Sequence, residues 1–548
     1  MLEAAAASKA GAAEAPNQQA LPTGSSNPRG IALGVAAATL LSSLAAIGWA
    51  IVRPPVGDMA AQVFRAKLFE KSGYQIWNGQ WYGGHHLPGY SLLMPPLGGA
   101  IGAWWAGCVA AIAASAAMAT VAISVTRNHR RQTMLTALLC LAVIASLLSG
   151  RTTWLLGTAF AAASLAALIS GRTALALIAA LLSPIASPVA AMFLALAGVA
   201  AAFGQVRKRG IAVAAAATLP GAAIALTFPE GGSQPFPATS FIPMALATAL
   251  IVVLIPSALR ELKAACGLYL LLLVGTLVIS SPIGSNAVRL GQIAGTATVA
   301  LAFWTARSVQ LSQRRRAAFA IAFASIFALQ WIQPVMDLSH AESDRSADPE
   351  FHAPLVAKIR SLGGPPGRLE ILWTKGHWED AYVAPEIPLA RGWERQLDRR
   401  FNSMVSGPDV KAETYYRWLD SLAVAWVAVP NAPIDGSVSG EGKLIAHGLD
   451  RLRRVWSTAD WTLYAVIDPK PLASGVATLE RMSSRELLLK INGPGTAAVQ
   501  VRWSRWWHLE GIKGCLQPGA HGMTTLRARQ AGLAKLTITD LAGGPSCA

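Results

Sequence analysis

TALALIAALLSPIASPVAAMFLALAGVAAAF, residues 173–203, is the stretch on which the reading of this chain turns. It is apolar throughout, too long for one membrane span, and interrupted by Pro184 and Pro188. A bilayer core takes about 20 helical residues, and proline breaks a helix where neighbouring protein shields the freed backbone groups. The stretch therefore reads as a tight hairpin of two short spans, or as a re-entrant pair. Other apolar runs of span length fall at 31–52, 104–125, 133–149, 154–170, 211–227, 241–259, 264–280, 290–311 and 317–335. With the hairpin counted as two, the total is about eleven. An odd number puts the two ends of the apolar region on opposite faces.

The charges test that parity. Arg127, Arg130, Arg131, Arg172, Arg207, Lys208, Arg209, Arg260, Lys263, Arg307 and Arg314 to Arg316 all fall in connectors of one face. The short connectors of the other face receive only Arg151 and Arg289. Cytoplasmic loops carry the excess of Lys and Arg. The N-terminus is thus expected in the cytoplasm, with loop 53–103 and everything after residue 335 outside it. A hydrophobic content of 53%, a charged content of 14% and a mean hydropathy of +0.42 fit a polytopic α-helical protein of the cell (inner or plasma) membrane. The net charge of +17 is spent on membrane orientation, so nucleic acid is not expected as a partner.

The flanks differ in character. Residues 1–30 are rich in Ala, Pro, Gly and Ser without periodicity, and read as a disordered cytoplasmic tail. Residues 31–335 form the membrane domain. From 336 to 468 the segments GRLEILWT, AYVAPEIPLARG and SLAVAWVAVP read as strands, with a helix at ETYYRWLDSL, giving a small α/β unit. From 469 to 548 short alternating segments, ELLLKINGP to LAKLTITD, read as a β-sandwich. Cys108, Cys140 and Cys266 fall in spans as packing residues. Cys515 and Cys547 fall in the exported unit, where oxidation is permitted, and are expected to form a disulfide.

The largest loop carries the chemistry. Its sequence, PPVGDMAAQVFRAKLFEKSGYQIWNGQWYGGHHLPGYSLLMPP over residues 54–96, places Asp58 six residues after the first span. Ala60, Phe64 and Leu68 recur every four residues beside Val63, while Arg65, Lys67, Glu70 and Lys71 stay polar, which predicts an amphipathic helix. Asp58 is placed either to cap that helix or to act as a base. Trp77, Trp81, Tyr82 and Tyr90 suit sugar stacking or an interfacial aromatic belt. His85 and His86 suit phosphate binding or loop packing. Arg151 and Arg289 suit phosphate binding or span capping, and Asn286 in SPIGSNAVR suits either support of that phosphate or a turn. The RQLD segment at 395–398 reads as structural. No CxxC, HExxH, Walker A or Rossmann motif is present, so no metal ligand is named; a divalent metal is open but has no motif behind it.

A first span, an acidic residue soon after it in a large outer loop, an amphipathic helix in that loop, about eleven spans and an exported C-terminal region together resemble the GT-C superfamily. These glycosyltransferases use polyprenyl-phosphate sugars and include protein mannosyltransferases and actinobacterial arabinosyltransferases. WNGQWYGGHHLPGYSLLMPPL, GWERQLDRRFN at 392–402 and YYRWLD at 415–420 look like an actinobacterial-type branch of that superfamily. The resemblance covers the architecture of nearly the whole chain, and its site-level motif is the Asp-bearing loop. Asp58 stands alone, without the second acid of the DD or DE pairs in several such families. The resemblance implies transfer from a polyprenyl-phosphate sugar to a cell-envelope glycan or glycolipid at the outer face, with Asp58 catalytic. The competing readings are a transporter or flippase, disfavoured by the scarcity of charge within the spans, and a non-catalytic envelope-assembly scaffold.

Overall fold

The computed structural model describes residues 28–307, 311–363, 367–544 and 546–547. Most of the tail expected to be disordered, residues 1–27, lies outside them. Seven helices among the described residues are long and apolar enough to cross a bilayer: Leu33–Val52, Ala103–Val125, His129–Leu148, Thr152–Ile169, Arg207–Thr227, Arg260–Val278 and Gln313–Ala341. The chain is a multi-pass membrane protein. Three shorter apolar helices, Thr173–Ala186, Pro188–Ala201 and Ala238–Leu254, and the helix Val288–Ala306 accompany them.

The 173–203 stretch breaks at Ser187, which is extended and whose hydroxyl caps the second helix by accepting from Ala190 N–H. Pro184 stays inside the first helix, and Pro188 starts the second. The bend lies beside the large loop, where Leu92 N–H donates to the Ile185 carbonyl at 2.9 Å. The far end of the second helix returns to the basic connector: a Cβ on Gly198 would stand 2.7 Å from the Gly210 carbonyl. Small residues bring helices this close where lipid supplies no hydrophobic drive for association.

At the bend's end of the bundle lie the large loop and the C-terminal region, packed on each other. The last membrane helix runs on to Ala341, past the expected boundary near Met336. Beyond it, β1 (Arg368–Ile371) pairs parallel with β2 (Val424–Pro430), which pairs antiparallel with β4 (Trp461–Val466), itself edged by β3 (Leu452–Ser457). AYVAPEIPLARG, expected as a strand, instead opens with a helical turn, Glu379–Tyr382, and continues as loop with a single bridge between Leu369 and Leu389. The strands after residue 470 make two four-stranded antiparallel sheets. Ala473–Gly475, Gly495–Arg502, Gly514–Pro518 and Met523–Ala528 form one; Ala477–Met482, Glu486–Ile491, His508–Glu510 and Gly532–Thr537 form the other. Leu489 and Leu536 meet Val499 and Leu526 in their shared core. Cys515 and Cys547 are disulfide-bonded.

Candidate functional site

The helix predicted after Asp58 forms, spanning Asp58–Ser72, but it is buried on more sides than its pattern implies. Met59, Ala60 and Phe64 are buried, and so are Gln62 and Arg65. Arg65, expected on a polar face, is clasped by Glu394 of the C-terminal region at 2.6 Å and lies 3.8 Å over the Tyr90 ring. The cause is tertiary. The helix is sandwiched between the bundle's end and the C-terminal region, so two faces find partners.

The aromatic block then divides. Trp77 packs edge-on against Trp507 inside the sandwich core. Trp81 stacks on Phe64 at 4.1 Å and on His85 at 5.8 Å. Tyr82, at φ 58°, donates to the Gly392 carbonyl, while Arg502 Nε donates to the Tyr82 carbonyl at 2.6 Å. All four side chains, His85 included, are buried in this seam and line neither of the large cavities described below. Of the two roles expected for each of Trp77, Trp81, Tyr82 and His85, ligand contact or packing, the geometry here is that of packing between segments. Glycine lets the seam close, since a Cβ on Gly84 (φ 110°) would stand 2.0 Å from Trp77. Burial draws the His85 pKa down to about 3 against the pull of Glu230, so the ring is neutral at neutral pH.

His86, its neighbour, faces a cavity. Its Nδ1 is 2.6 Å from Glu230 Oε1, its Nε2 is 2.9 Å from Ser504 Oγ, and its backbone N–H donates to Glu230 Oε2 at 2.7 Å. Burial alone would raise the Glu230 pKa, but the His86 bonds outweigh it and hold the carboxyl below its ordinary range.

Two cavities of about 800 and about 820 Å3 flank the Asp58 turn. The first is lined by Arg65, His86, Tyr90, Glu230, Glu394, Arg395 and Arg400, with Trp154, Val189, Ile224 and Phe228 from the membrane helices and their ends. The second is lined by Arg151, Asp337, His340, Asp344, Lys375, His377 and Asp435, with Met244, Leu329, Ile332 and Met336. Asp58, Gln234, Asn286, Arg289 and Trp393 line both, so they mark where the two meet.

The partners of the lining charges separate these groups. Arg395 pairs with Asp435 at 2.8 Å, Arg400 donates to the Pro229 carbonyl at 2.8 Å, and Arg151 donates to Gln292 Oε1 at 2.8 Å. Lys375 meets His340 at 2.8 Å, and Asp337 accepts from Gln333 at 2.7 Å. Among the described residues, Asp58 and Arg289 are the charged lining groups with no hydrogen bond or ion pair of their own. Nor does Asp58 cap its helix, because Gly57 holds the cap position and no side-chain cap bond forms. Burial, and then Arg289, pull the Arg151 pKa down to about 10, with Asp58 among the charges opposing them. Arg151 therefore stays cationic at neutral pH.

Several wall residues escaped the sequence reading. The 395–398 segment, read as structural, supplies Arg395, Gln396 and Leu397 to the first cavity, beside Trp393 and Glu394. It is anchored by Arg391, buried with Glu370 at 3.0 Å and Glu441 at 3.1 Å. The density of charge in RGWERQLDRRF next to two aromatic rings was the available signal. Glu230, isolated in a loop, gave none. His377, Glu379 and Asp380 are brought within 4.8 Å of one another by their potential ligand atoms, without matching a metal-binding spacing motif.

No family model matches the chain, and no curated protein matches it. Among solved structures it is similar to the crystal structure of ArnT from Cupriavidus metallidurans in the apo state, at 12% identity and a TM-score of 0.38, covering 80% of this chain and 98% of that one.

Proposed function

We propose that this protein is an integral-membrane glycosyltransferase, moving a sugar from a polyprenyl-phosphate donor to a cell-envelope glycan or glycolipid at the non-cytoplasmic face. One observation carries the reading: a carboxylate and a guanidinium without protein partners, Asp58 and Arg289, stand together where two large cavities meet. Unspent charges of opposite sign suit a reaction that removes a proton from one reactant while negative charge builds on the other.

In this reading Asp58 accepts the proton of the acceptor hydroxyl as its oxygen attacks the anomeric carbon. The bond from that carbon to the donor phosphate breaks, and the departing phosphate's charge is met by Arg289, with Asn286 donating beside it. The first cavity, with four arginines and apolar walls from the membrane helices, takes the phosphate and the start of the lipid. The second, with a larger share of carboxylates, takes the acceptor. Eleven spans, a cytoplasmic N-terminus and an exported C-terminal region complete the proposal. For topology, Lys208→Cys and Gln530→Cys should label from opposite sides of sealed cells; labelling from the same side contradicts the orientation.

The functional test is a deletion strain analysed by mass spectrometry of lipids and envelope glycans. Unused polyprenyl-phosphate sugar and an acceptor lacking one residue should accumulate. Complementation with wild type should restore both and Asp58→Asn should not. An unchanged lipid and glycan profile contradicts the proposal, and complete rescue by Asp58→Asn removes Asp58 from it.

A further inference from the structure

The turn WTKGHWEDA, residues 373–381, lines the second cavity through Lys375 and His377 and gathers three ligand-type side chains. His377 is 2% exposed, and Glu379 and Asp380 are fully buried. Two carboxylates side by side in a protein interior need a cation or a proton, because an unpaired buried charge costs several kcal/mol. No Lys or Arg forms an ion pair with either one among the described residues. Glu379 is steadied by Thr374, whose N–H and hydroxyl donate to it at 3.0 and 2.6 Å. Asp380 has no hydrogen-bond partner on either oxygen, and neither does Nδ1 of His377.

The imidazole is held as a metal ligand would be. Nε2 faces Asp435 Oδ2 at 3.4 Å, and Arg395 in turn holds Asp435. That arrangement fixes the proton on Nε2 and leaves the Nδ1 lone pair free, the relation that a carboxylate imposes on a metal-bound histidine. The ring lies flat on Trp393, centroids 3.5 Å apart. His377 also has φ 57°, a left-handed conformation that a non-glycine residue adopts at some cost. Its Nδ1 is 3.9 Å from Glu379 Oε1. Ligand atoms at about 2.0 to 2.2 Å from one tetrahedral ion stand about 3.3 to 3.6 Å apart, so this pair closes on a movement of about 0.3 to 0.6 Å and the third, within 4.8 Å of both, on one of at most about 1.5 Å.

We propose that His377, Glu379 and Asp380 bind one divalent transition-metal ion of the Zn2+ or Mn2+ class. One imidazole with two carboxylates is a donor set of intermediate softness, which suits those ions better than Ca2+ or Mg2+. The ion neutralises the two buried carboxylates and stiffens the turn that braces Asp58. Trp378 Nε1 donates to the Pro55 carbonyl and Trp393 Nε1 to the Gly57 carbonyl, each at 3.2 Å. The site thus ties the exported region to the backbone that presents Asp58.

The test uses the full chain in detergent, stripped with chelator and resupplied singly with Zn2+, Mn2+ or Mg2+. Metal content and thermal unfolding are read directly, with no transfer assay, so the result does not depend on the proposed enzymatic activity. Wild type should retain about one Zn2+ or Mn2+ per chain and unfold at a higher temperature with it. Asp380→Asn keeps the shape of a protonated Asp380 and should fold, yet should retain less than about a tenth of the metal and lose the thermal shift. His377→Ala should behave alike, while His447→Ala, at an exposed histidine, should match wild type. Absence of metal binding by the stripped wild type overturns the proposal. Equal binding by Asp380→Asn overturns it too, and a preference for Mg2+ overturns the assignment of metal class.

Discussion

The two cavities are nearly equal in size and differ in what lines them. The first presents Arg65, Arg289, Arg395 and Arg400 against Asp58, Glu230 and Glu394. The second presents Arg151, Arg289 and Lys375 against Asp58, Asp337, Asp344 and Asp435. The balance of formal charge changes sign between them, and the residues common to both include the two charges without partners. A lone binding pocket has no use for that contrast. The proposed two-substrate transfer does, because an anionic donor and a hydroxyl-bearing acceptor need different walls and one shared point of contact.

The largest break in this contrast should come from Arg289→Gln, which removes the shared cation without emptying either cavity. Loss of one preorganised donor to a developing anion typically costs about 10² to 10³ in rate, and transfer should fall by that order at matched abundance. A rate within about threefold of wild type would return the leaving-group role to Arg151. A smaller effect separates the cavities themselves. Arg400→Gln should raise the donor KM about tenfold, the size of one charge-assisted hydrogen bond, and leave the acceptor KM unchanged. Lys375→Gln should do the reverse. If both variants move the same KM, donor and acceptor are not divided between the cavities as described.

The smallest effect concerns the seam that holds the cavities together. His85 is held neutral by burial, with a pKa of about 3 in place of 6.5. Between those values the unfolded chain binds a proton that the folded chain refuses, so stability is complete above pH 6.5 and declines as pH falls toward 3. Glu230, held below its ordinary range, adds to the loss as pH falls through its folded pKa. His352, also buried and lowered to about 4, contributes in the same direction. His85→Leu should flatten the decline between pH 6 and 4 by about 1.4 kcal/mol per pH unit, the worth of one proton. An unchanged slope of unfolding free energy against pH would mean that the ring is solvated.

Much of this architecture was legible because its signals are local. Apolar length marks the membrane helices, Pro184 and Pro188 mark the 173–203 bend, and alternation marks the sandwich strands. The paired cysteines were open to the same kind of reading. The site was legible in part: Asp58, Asn286 and Arg289 were singled out as chemistry-bearing types at the ends of apolar segments, and the structure sets all three where the cavities meet. What stayed hidden depends on segments far apart in the chain. Arg65 looks solvent-facing until Glu394, 329 residues away, is found against it. Trp77, Trp81, Tyr82 and His85 have the composition of a sugar-binding loop, and only the packed seam distinguishes docking from binding. The short Glu379–Tyr382 turn defeated the strand reading of AYVAPEIPLARG because His377 and Trp378 are fixed by Trp393 and by the Pro55 carbonyl, contacts that a local window cannot contain.

The measurement that bears most directly on this account is the turnover of Asp58→Asn, matched for abundance with wild type and supplied with a polyprenyl-phosphate sugar. The change keeps the side chain's size and removes its basicity, and since Asp58 makes no capping bond the helix should be undisturbed. General-base catalysis contributes about 10² to 10⁴ in rate. A loss of that order, with membrane insertion and thermal stability intact, is the predicted result. Turnover close to wild type would contradict it and leave the Asp58 turn as a binding element alone.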